Sequence, residues 1–399
     1  MTAKRLNRRC PICSGENGQI LHHQKFQLSD SSLLPDCYDV VSCVNCNFVF
    51  ADTPIQQQTY NQYYAEFSKY EDSNSSVSTG GGTSFWDKKR IEATAEDILQ
   101  FCNKESSILD IGCANGGLLM ELERRGLRNL CGLDPSRACV NHVNKLGISC
   151  LLGELFEADK YLNGKKFDFI ILSHVLEHIY DVKQACSILL NLLNDKGMLY
   201  VEVPDASHYC QHYIVPYYYF DPEHINHFDK ISLLNAFGPL GFDPLRIEAK
   251  SFYANDTTRY PAVYGILQKS VRPQAFLLVK SEAVKNEVLK YIEMSQRNSF
   301  LDEIEELART QEPIIVFGAG NFTARLLEST SLAQCNIAAF VDNDKKKQGT
   351  AIGRTEVLKP ERVLGFVGTI VVCSALHYQQ IVDQLKNDLR VKNEIVIIR

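Results

Sequence analysis

Apolar positions along the chain switch between two periods, and the switches mark out the elements. From residue 86 to 102 they recur at helical spacing (Ile91, Ala95, Ile98, Leu99), which predicts a helix. Ser107-Ile108-Leu109-Asp110 then reads as a short buried strand. Gly112, Gly116 and Gly117 interrupt the pattern before a second helix over 118–125. Residues 130–134 and 166–172 repeat the buried-strand pattern, and a helix end, a turn at Gly197 and a strand finishing at Pro204 follow. Strands alternating with helices in this way predict a doubly wound α/β sheet. Residues 262–267 fit its last, edge-reversing strand, and 274–309 reads as a long helical connector.

A second alternation begins after Pro313. It runs through the strand 314–317, the turn Gly318-Ala319-Gly320-Asn321, a helix, and a strand ending in Phe340-Val341-Asp342. A strand over 369–373, a helix from Tyr378 and a strand over 394–398 complete a small Rossmann-like lobe. At 399 residues the chain exceeds what one hydrophobic core usually organises. The reading therefore divides it into an N-terminal part (1–60), a central domain with an N-terminal lid (61–272), the connector (273–310) and the C-terminal lobe (311–399).

Composition narrows the function. With 45% hydrophobic and 23% charged residues the chain has ordinary globular composition. A net charge of -6 without a basic run argues against nucleic acid as a partner. No segment offers the roughly 18 consecutive apolar residues of a membrane span, and Met1-Thr2-Ala3-Lys4-Arg5 does not lead into a signal peptide, so a cytoplasmic location is expected.

Fourteen cysteines without an export signal suggest metal ligands and buried thiols rather than disulfides. Cys10-Pro11-Ile12-Cys13 and Cys43-Val44-Asn45-Cys46 are two C-x2-C pairs, the spacing of a zinc ribbon in which Cys10, Cys13, Cys43 and Cys46 close a structural zinc site. Cys37, His22 and His23 lie between the pairs as less favoured ligands. After the ribbon come a tyrosine cluster, Tyr60 to Phe67 with Lys69-Tyr70, and a Ser/Gly-rich run over 73–84 that reads as a mobile loop. The cluster either packs the ribbon onto the next domain or lends phenols such as Tyr64 to a polar substrate pocket.

The glycine turn at 110–117 is weak evidence alone, since dinucleotide enzymes use a similar one. Its companions are Asp134 at the end of the second strand, Glu154 and Leu155 after the third, and His174 after the fourth. In order, Asp110-Ile111-Gly112-Cys113-Ala114-Asn115-Gly116, Asp134, Phe167-Asp168 leading to Val175-Leu176-Glu177-His178, and Leu192 to Leu199 resemble the motifs of class I S-adenosylmethionine methyltransferases. The resemblance implies that Asp110, Gly112 and Gly116, with Cys113 between them, shape the methionine and sulfonium end of the cofactor. It also implies that Asp134 takes the ribose. His178 reads as a helix-surface histidine.

The densest titratable patch is Asp221-Pro222-Glu223-His224-Ile225-Asn226-His227-Phe228. His224 is the first choice of general base and Glu223 its orienter. The alternative is that the pair caps a helix starting near Asp229, while His227 packs under the loop. With the ribbon before it and a further lobe after it, the whole chain resembles the bacterial sugar C-methyltransferases, which act on nucleotide-linked keto-sugars. That resemblance places the family's Glu-His pair on Glu223 and His224. Asp221 and Pro222 depart from the family pattern, so Tyr219 or Tyr64 is left to supply a phenol, or a sugar hydroxyl is the acceptor.

In the last lobe Asp342 stands where a nicotinamide site would place its ribose acid, but Thr323 replaces the third glycine. The turn is read as holding a substrate nucleotide's phosphate through Gly318, Gly320 and Asn321, or else as purely structural. The expected activity is methylation of a nucleotide-linked or glycan sugar in polysaccharide or deoxysugar synthesis. The alternatives are O-methylation of another small polar acceptor, an NAD-dependent sugar oxidoreductase and a zinc-ribbon adaptor.

Overall fold

The computed structural model describes residues 3–29, 32–67, 84–272, 275–297 and 300–399; the loop expected over 73–84, up to residue 83, and the Lys69-Tyr70 pair lie outside the described residues. The chain forms two compact units. One contains Met1–Leu21, Val41–His212 and Glu223–Val288, and the other His22–Val40, Tyr213–Pro222 and Leu289–Arg399.

The first unit is built on a seven-stranded sheet of β1 (Ile108–Ile111), β2 (Leu130–Asp134), β3 (Ser149–Leu152), β4 (Phe167–Ser173), β5 (Leu193–Pro204), β6 (Phe242–Tyr253) and β7 (Arg259–Lys269). Its order is β6-β7-β5-β4-β1-β2-β3. β1 to β5 are parallel, and β7 runs antiparallel between β5 and β6. The strand order reverses between β1 and β4, so the loops leaving those two strands open the crevice where doubly wound sheets take ligands. β1 and β2 are buried along their whole length, as their unbroken apolar runs require in a sheet covered on both faces.

Two expectations are corrected here. Residues 262–267 lie within β7, which is an inner strand; the edge is β6, whose Asp-Pro-Leu-Arg-Ile-Glu run and bulge between Pro244 and Arg246 hid it from a periodicity reading. The long connector is two helices, Ala283–Gln296 and Phe300–Thr310, and 275–282 is not helical.

The N-terminal strands Ala3–Arg5, Asn17–Lys25, Cys37–Cys43 and Val49–Asp52 form a second sheet, and its fifth strand is Asn226–His227, far along the chain. Asn226 pairs with Phe50 and His227 with Val49. Phe48 meets Phe228 with ring centroids 5.2 Å apart, and Ile12, Phe48 and Phe228 share one apolar cluster with Leu109, Leu133 and Leu172 of the large sheet.

In the second unit, the sheet order is Ala351–Ile352, Thr355–Leu358, Ile337–Val341, Ile314–Phe317, Thr369–Cys373, Ile395–Ile398. The lobe is thus larger than the sequence suggested, because a hairpin adds Thr355–Leu358 parallel to Ile337–Val341.

Candidate active site

The turn after β1 holds Gly112 at φ 72°, Ala114 at φ 47° and Gly116 at φ 76°. A Cβ on Gly112 would stand 2.6 Å from Val175 Cγ2 and one on Gly116 2.8 Å from Val143 Cγ2. Glycine at both positions thus permits the left-handed backbone and the close packing of Val175 and Val143 against the turn. The helix Gly117–Arg124 starts at Gly116 without a side-chain cap, leaving first-turn amides for another acceptor. Asp134 fixes the turn: Ala114 N and Ser136 N each donate to its carboxylate at 2.8 Å.

Asp110 and Asp134 are both buried. Burial, and then repulsion from Asp134, push the Asp110 carboxyl up to about 8 despite the nearby Arg90; burial pushes Asp134 up to about 6 against the two amide bonds. Two desolvated acids short of positive charge are what a cationic ligand would relieve, and the Ser173 Oγ at the end of β4 is buried with no hydrogen-bond partner among the described residues. These features fit S-adenosylmethionine, whose ammonium and sulfonium are cationic.

Other cofactor candidates are placed differently from the expectation. The Cys113 thiol points into the core, 3.6 Å from Cys150 Sγ, and Leu155 is buried in the apolar cluster. Only their backbone remains for a ligand. Glu154 stays partly open; it accepts a hydrogen bond from Asn61 Nδ2 on the helix Gln57–Phe67, and burial raises its pKa. His174, at φ 54°, has both ring nitrogens committed, Nδ1 to Glu177 Oε1 at 3.2 Å and Nε2 to Glu202 Oε1 at 3.0 Å. Burial opposes its charge, but the two carboxylates outweigh burial and raise its pKa. It is half-buried within a network that also joins Glu202 to Lys250 and Tyr200.

In the same unit a second group gathers around the Glu223-His224 pair. His178 Nδ1 lies 2.9 Å from the Glu223 carbonyl oxygen, and the His178 and His224 rings are 4.9 Å apart at 60°. Tyr64 meets His178 edge-on at 5.4 Å, and Tyr63 donates to Glu223 Oε1 at 3.2 Å. Glu177, His178 and His224 offer ligand atoms within 4.8 Å of one another, a set able to hold a cation or to surround a polar acceptor. Glu177 Oε2 is buried and has no hydrogen-bond partner among the described residues.

The arrangement changes several readings. His178 faces the cluster instead of the surface. Glu223 and His224 do not cap the following helix; Asp229 does, in a capping box with Ser232. Tyr219 is fully buried in the other unit, 5.5 Å from the Tyr291 ring, and does not present a phenol to an acceptor. Tyr63, Asn61 and Glu177 were missed. The first two carry no motif beyond the tyrosine-rich helix, while Glu177 stood in plain view beside His178. His227 is buried as expected, its pKa pushed down to about 3 by burial, with Nδ1 3.0 Å from Tyr209 OH.

The four cysteines converge: Cys10 and Cys46 sulfurs are 3.5 Å apart, as are Cys13 and Cys43, and all four lie within 4.8 Å. A tetrahedral zinc–thiolate site with bonds of about 2.3 Å spaces its sulfurs about 3.8 Å apart, so the donors fit zinc. The two knuckles match: Ser14 N donates to Cys10 O and Asn47 N to Cys43 O, with Ser14 and Asn47 both at φ 62°. His22 is not a ligand; it stacks on Tyr217 at 4.5 Å.

In the C-terminal lobe a Cβ on Gly318 (φ 108°) would stand 2.4 Å from Cys373 O. Asp342 Oδ2 accepts from Ala319 N at 2.8 Å and pairs with Lys347 at 3.1 Å, so this acid braces the turn. Thr323 Oγ1 donates to Gly318 O, a closure that a third glycine could not make. Asn321 begins a helix whose cap, Gly320, makes no side-chain bond.

A family described as "Methyltransferase domain" matches residues 86–247, and one described as "C2185-like, N-terminal" matches 310–397. The central fold is that of a class I methyltransferase. A ubiquinone biosynthesis O-methyltransferase of Rhizobium etli is 29% identical over 98 residues, covering 24% of this chain and 39% of that protein. One from Neisseria meningitidis serogroup C is 25% identical over 135 residues, covering 29% of this chain and 55% of that protein. The chain thus spans less than two thirds of either relative. Among solved structures, the [4+2]-cyclase SpnF matches 54% of this chain and 97% of its own, at 14% identity and TM-score 0.41. The PH0226 protein of Pyrococcus horikoshii matches 52% and 99%, at 18% identity and TM-score 0.39. No helix among the described residues is long and apolar enough to cross a membrane.

Proposed function

We propose that the protein is an S-adenosylmethionine-dependent methyltransferase whose acceptor is a nucleotide-linked or glycan sugar. The observation that carries this reading is the convergence of Tyr63, Tyr64, Glu177, His178, Glu223 and His224 in the same unit as the turn at 110–117. Hydroxyl, imidazole and carboxylate groups at this density suit an acceptor rich in hydroxyls.

The cofactor supplies a methyl group already activated on a sulfonium. Asp110 and the open first turn of Gly117–Arg124 hold its charged end, and Asp134 receives the ribose hydroxyls on the lone pairs that its two amide donors leave. The chain's remaining task is to align the acceptor and remove one proton. His224 accepts that proton from a carbon beside a ketone or from a hydroxyl. Tyr63 fixes the Glu223 carboxylate, His178 fixes the Glu223 backbone, and Glu177 Oε2 accepts a hydrogen bond from the acceptor. The four cysteines hold a structural zinc ion.

Methyl-labelled S-adenosylmethionine, incubated with a panel of nucleotide keto-sugars, tests the reading. Transfer to a sugar, with the product separated into acid-stable carbon-linked or ether form, supports it. Transfer only to a non-sugar acceptor would overturn the sugar assignment.

A further inference from the structure

We infer that Arg8 is a positioning residue for this site, through which the four-cysteine sheet sets the relative placement of Glu177-His178 and Glu223-His224. The inference rests on the proposed function only for what those side chains do.

Arg8 lies two residues before Cys10 and is 1% exposed. Its guanidinium reaches two separate segments. Nε and Nη2 donate to Tyr180 O at 3.2 and 2.5 Å, and Nη2 also to Ile179 O at 3.1 Å. Nη1 donates to Ile225 O at 3.1 Å and Nη2 to Asn226 Oδ1 at 2.9 Å. The Tyr180 ring covers the group at 4.7 Å. Every one of these acceptors is a neutral carbonyl, and the carboxylate of Asp52 takes the Arg8 backbone amide instead, at 2.8 Å.

A guanidinium keeps its charge inside proteins, so Arg8 is a cation here. A buried cation whose side-chain hydrogen bonds all go to neutral carbonyls is costly, and an apolar side chain would fill the same space without that penalty. What an apolar side chain cannot do is join two loops. A planar fork with five donors fixes the distance and angle between the carbonyls it binds.

Asn226 repeats the same bridge. Its Nδ2 faces Leu176 O, Glu177 O and Ile179 O at 3.1, 3.3 and 2.7 Å, while Ile225 N donates to Glu177 O at 3.0 Å. Asn226 is also the edge-strand residue opposite Phe50 of the cysteine sheet, and Ala51 N donates to Ile225 O at 3.0 Å. The segment 176–180 and the segment 223–226 are therefore registered against each other by groups of that sheet. The ring geometry of His178 and His224 follows from this registration.

The test uses the full-length, zinc-loaded protein and the variants Arg8→Lys, which keeps the charge but loses the fork, and Arg8→Met. Histidine-labelled protein gives a direct readout in long-range proton–nitrogen spectra, where His178 should show a protonated Nδ1 held by Glu223 O. The inference expects both variants to bind S-adenosylhomocysteine within about threefold of wild type in calorimetry. It expects the His178 signature to be lost, and kcat to fall about tenfold or more with a smaller change in KM. A wild-type His178 signature in both variants would overturn it. So would loss of S-adenosylhomocysteine binding together with that signature, since Arg8 would then support the fold as a whole. Failure of wild-type protein to methylate any sugar would sink the acceptor reading alone, because the histidine spectrum needs no acceptor.

Discussion

His178 Nδ1 stands 2.9 Å from the carbonyl oxygen of Glu223, which places the histidine that follows β4 against the loop carrying the Glu-His pair. The bond leaves the other nitrogen of His178 directed toward Glu177, 3.8 Å away, and sets the ring edge-on to His224. A surface histidine would do neither.

His224→Ala should reduce kcat by about a hundredfold or more, the usual worth of a general base, with S-adenosylmethionine affinity nearly unchanged. Tyr63→Phe removes the 3.2 Å bond to Glu223 and should cost about tenfold or less. Steady-state kinetics beside calorimetry separate the two. Full activity in the His224 variant would remove that residue from the chemistry.

Asp110 gives a pH signature. Its carboxyl titrates at about 8 in the folded chain, against about 3.9 when unfolded, so the native state holds a proton that the unfolded state lacks across that window. Stability is therefore withdrawn as pH rises through it. His174, whose pKa is raised, loses its own stabilising charge in the same direction. Ligand-free protein should melt at a lower temperature at pH 8 than at pH 6.5, and Asp110→Asn should flatten the difference. Binding of the cationic cofactor should release a proton near neutrality, measurable as a buffer-dependent binding enthalpy. An enthalpy independent of the buffer would contradict the placement of Asp110.

Gly112→Ala would force an alanine to φ 72° with its Cβ 2.6 Å from Val175 Cγ2. A loss of about 1–3 kcal/mol in unfolding free energy is expected. Adding Val175→Ala removes the clash but leaves the backbone strain, so the double variant should recover part of the loss. Strictly additive effects would show that the two residues do not press on each other.

Removal of metal tests the ribbon. Purified protein should carry one zinc ion per chain, and Cys43→Ser should lower that content and the melting temperature together. Full zinc content in the variant would place the ion elsewhere.

Much of the central fold was legible because parallel strands buried on both faces must be apolar along their length, as Ile108 to Ile111 are. β6 was not, since an edge strand tolerates Asp243, Arg246 and Glu248 and so loses the apolar signal. The cysteine pairs were legible from spacing alone. Side-chain direction was not: Cys113 sits in the cofactor turn yet points into the core, and Tyr219 stands near the Glu-His pair in sequence yet packs on Tyr291. The bridge from Arg8 to Ile225 joins residues more than two hundred positions apart, and no local pattern announces such a contact.

The most direct test titrates S-adenosylmethionine into wild-type protein and into Asp134→Ala in a calorimeter. Saturable binding to the wild type, weakened about tenfold or more by the substitution, is the predicted result. An absence of binding, or equal affinity in the two proteins, would contradict the assignment of the turn at 110–117 as the cofactor site.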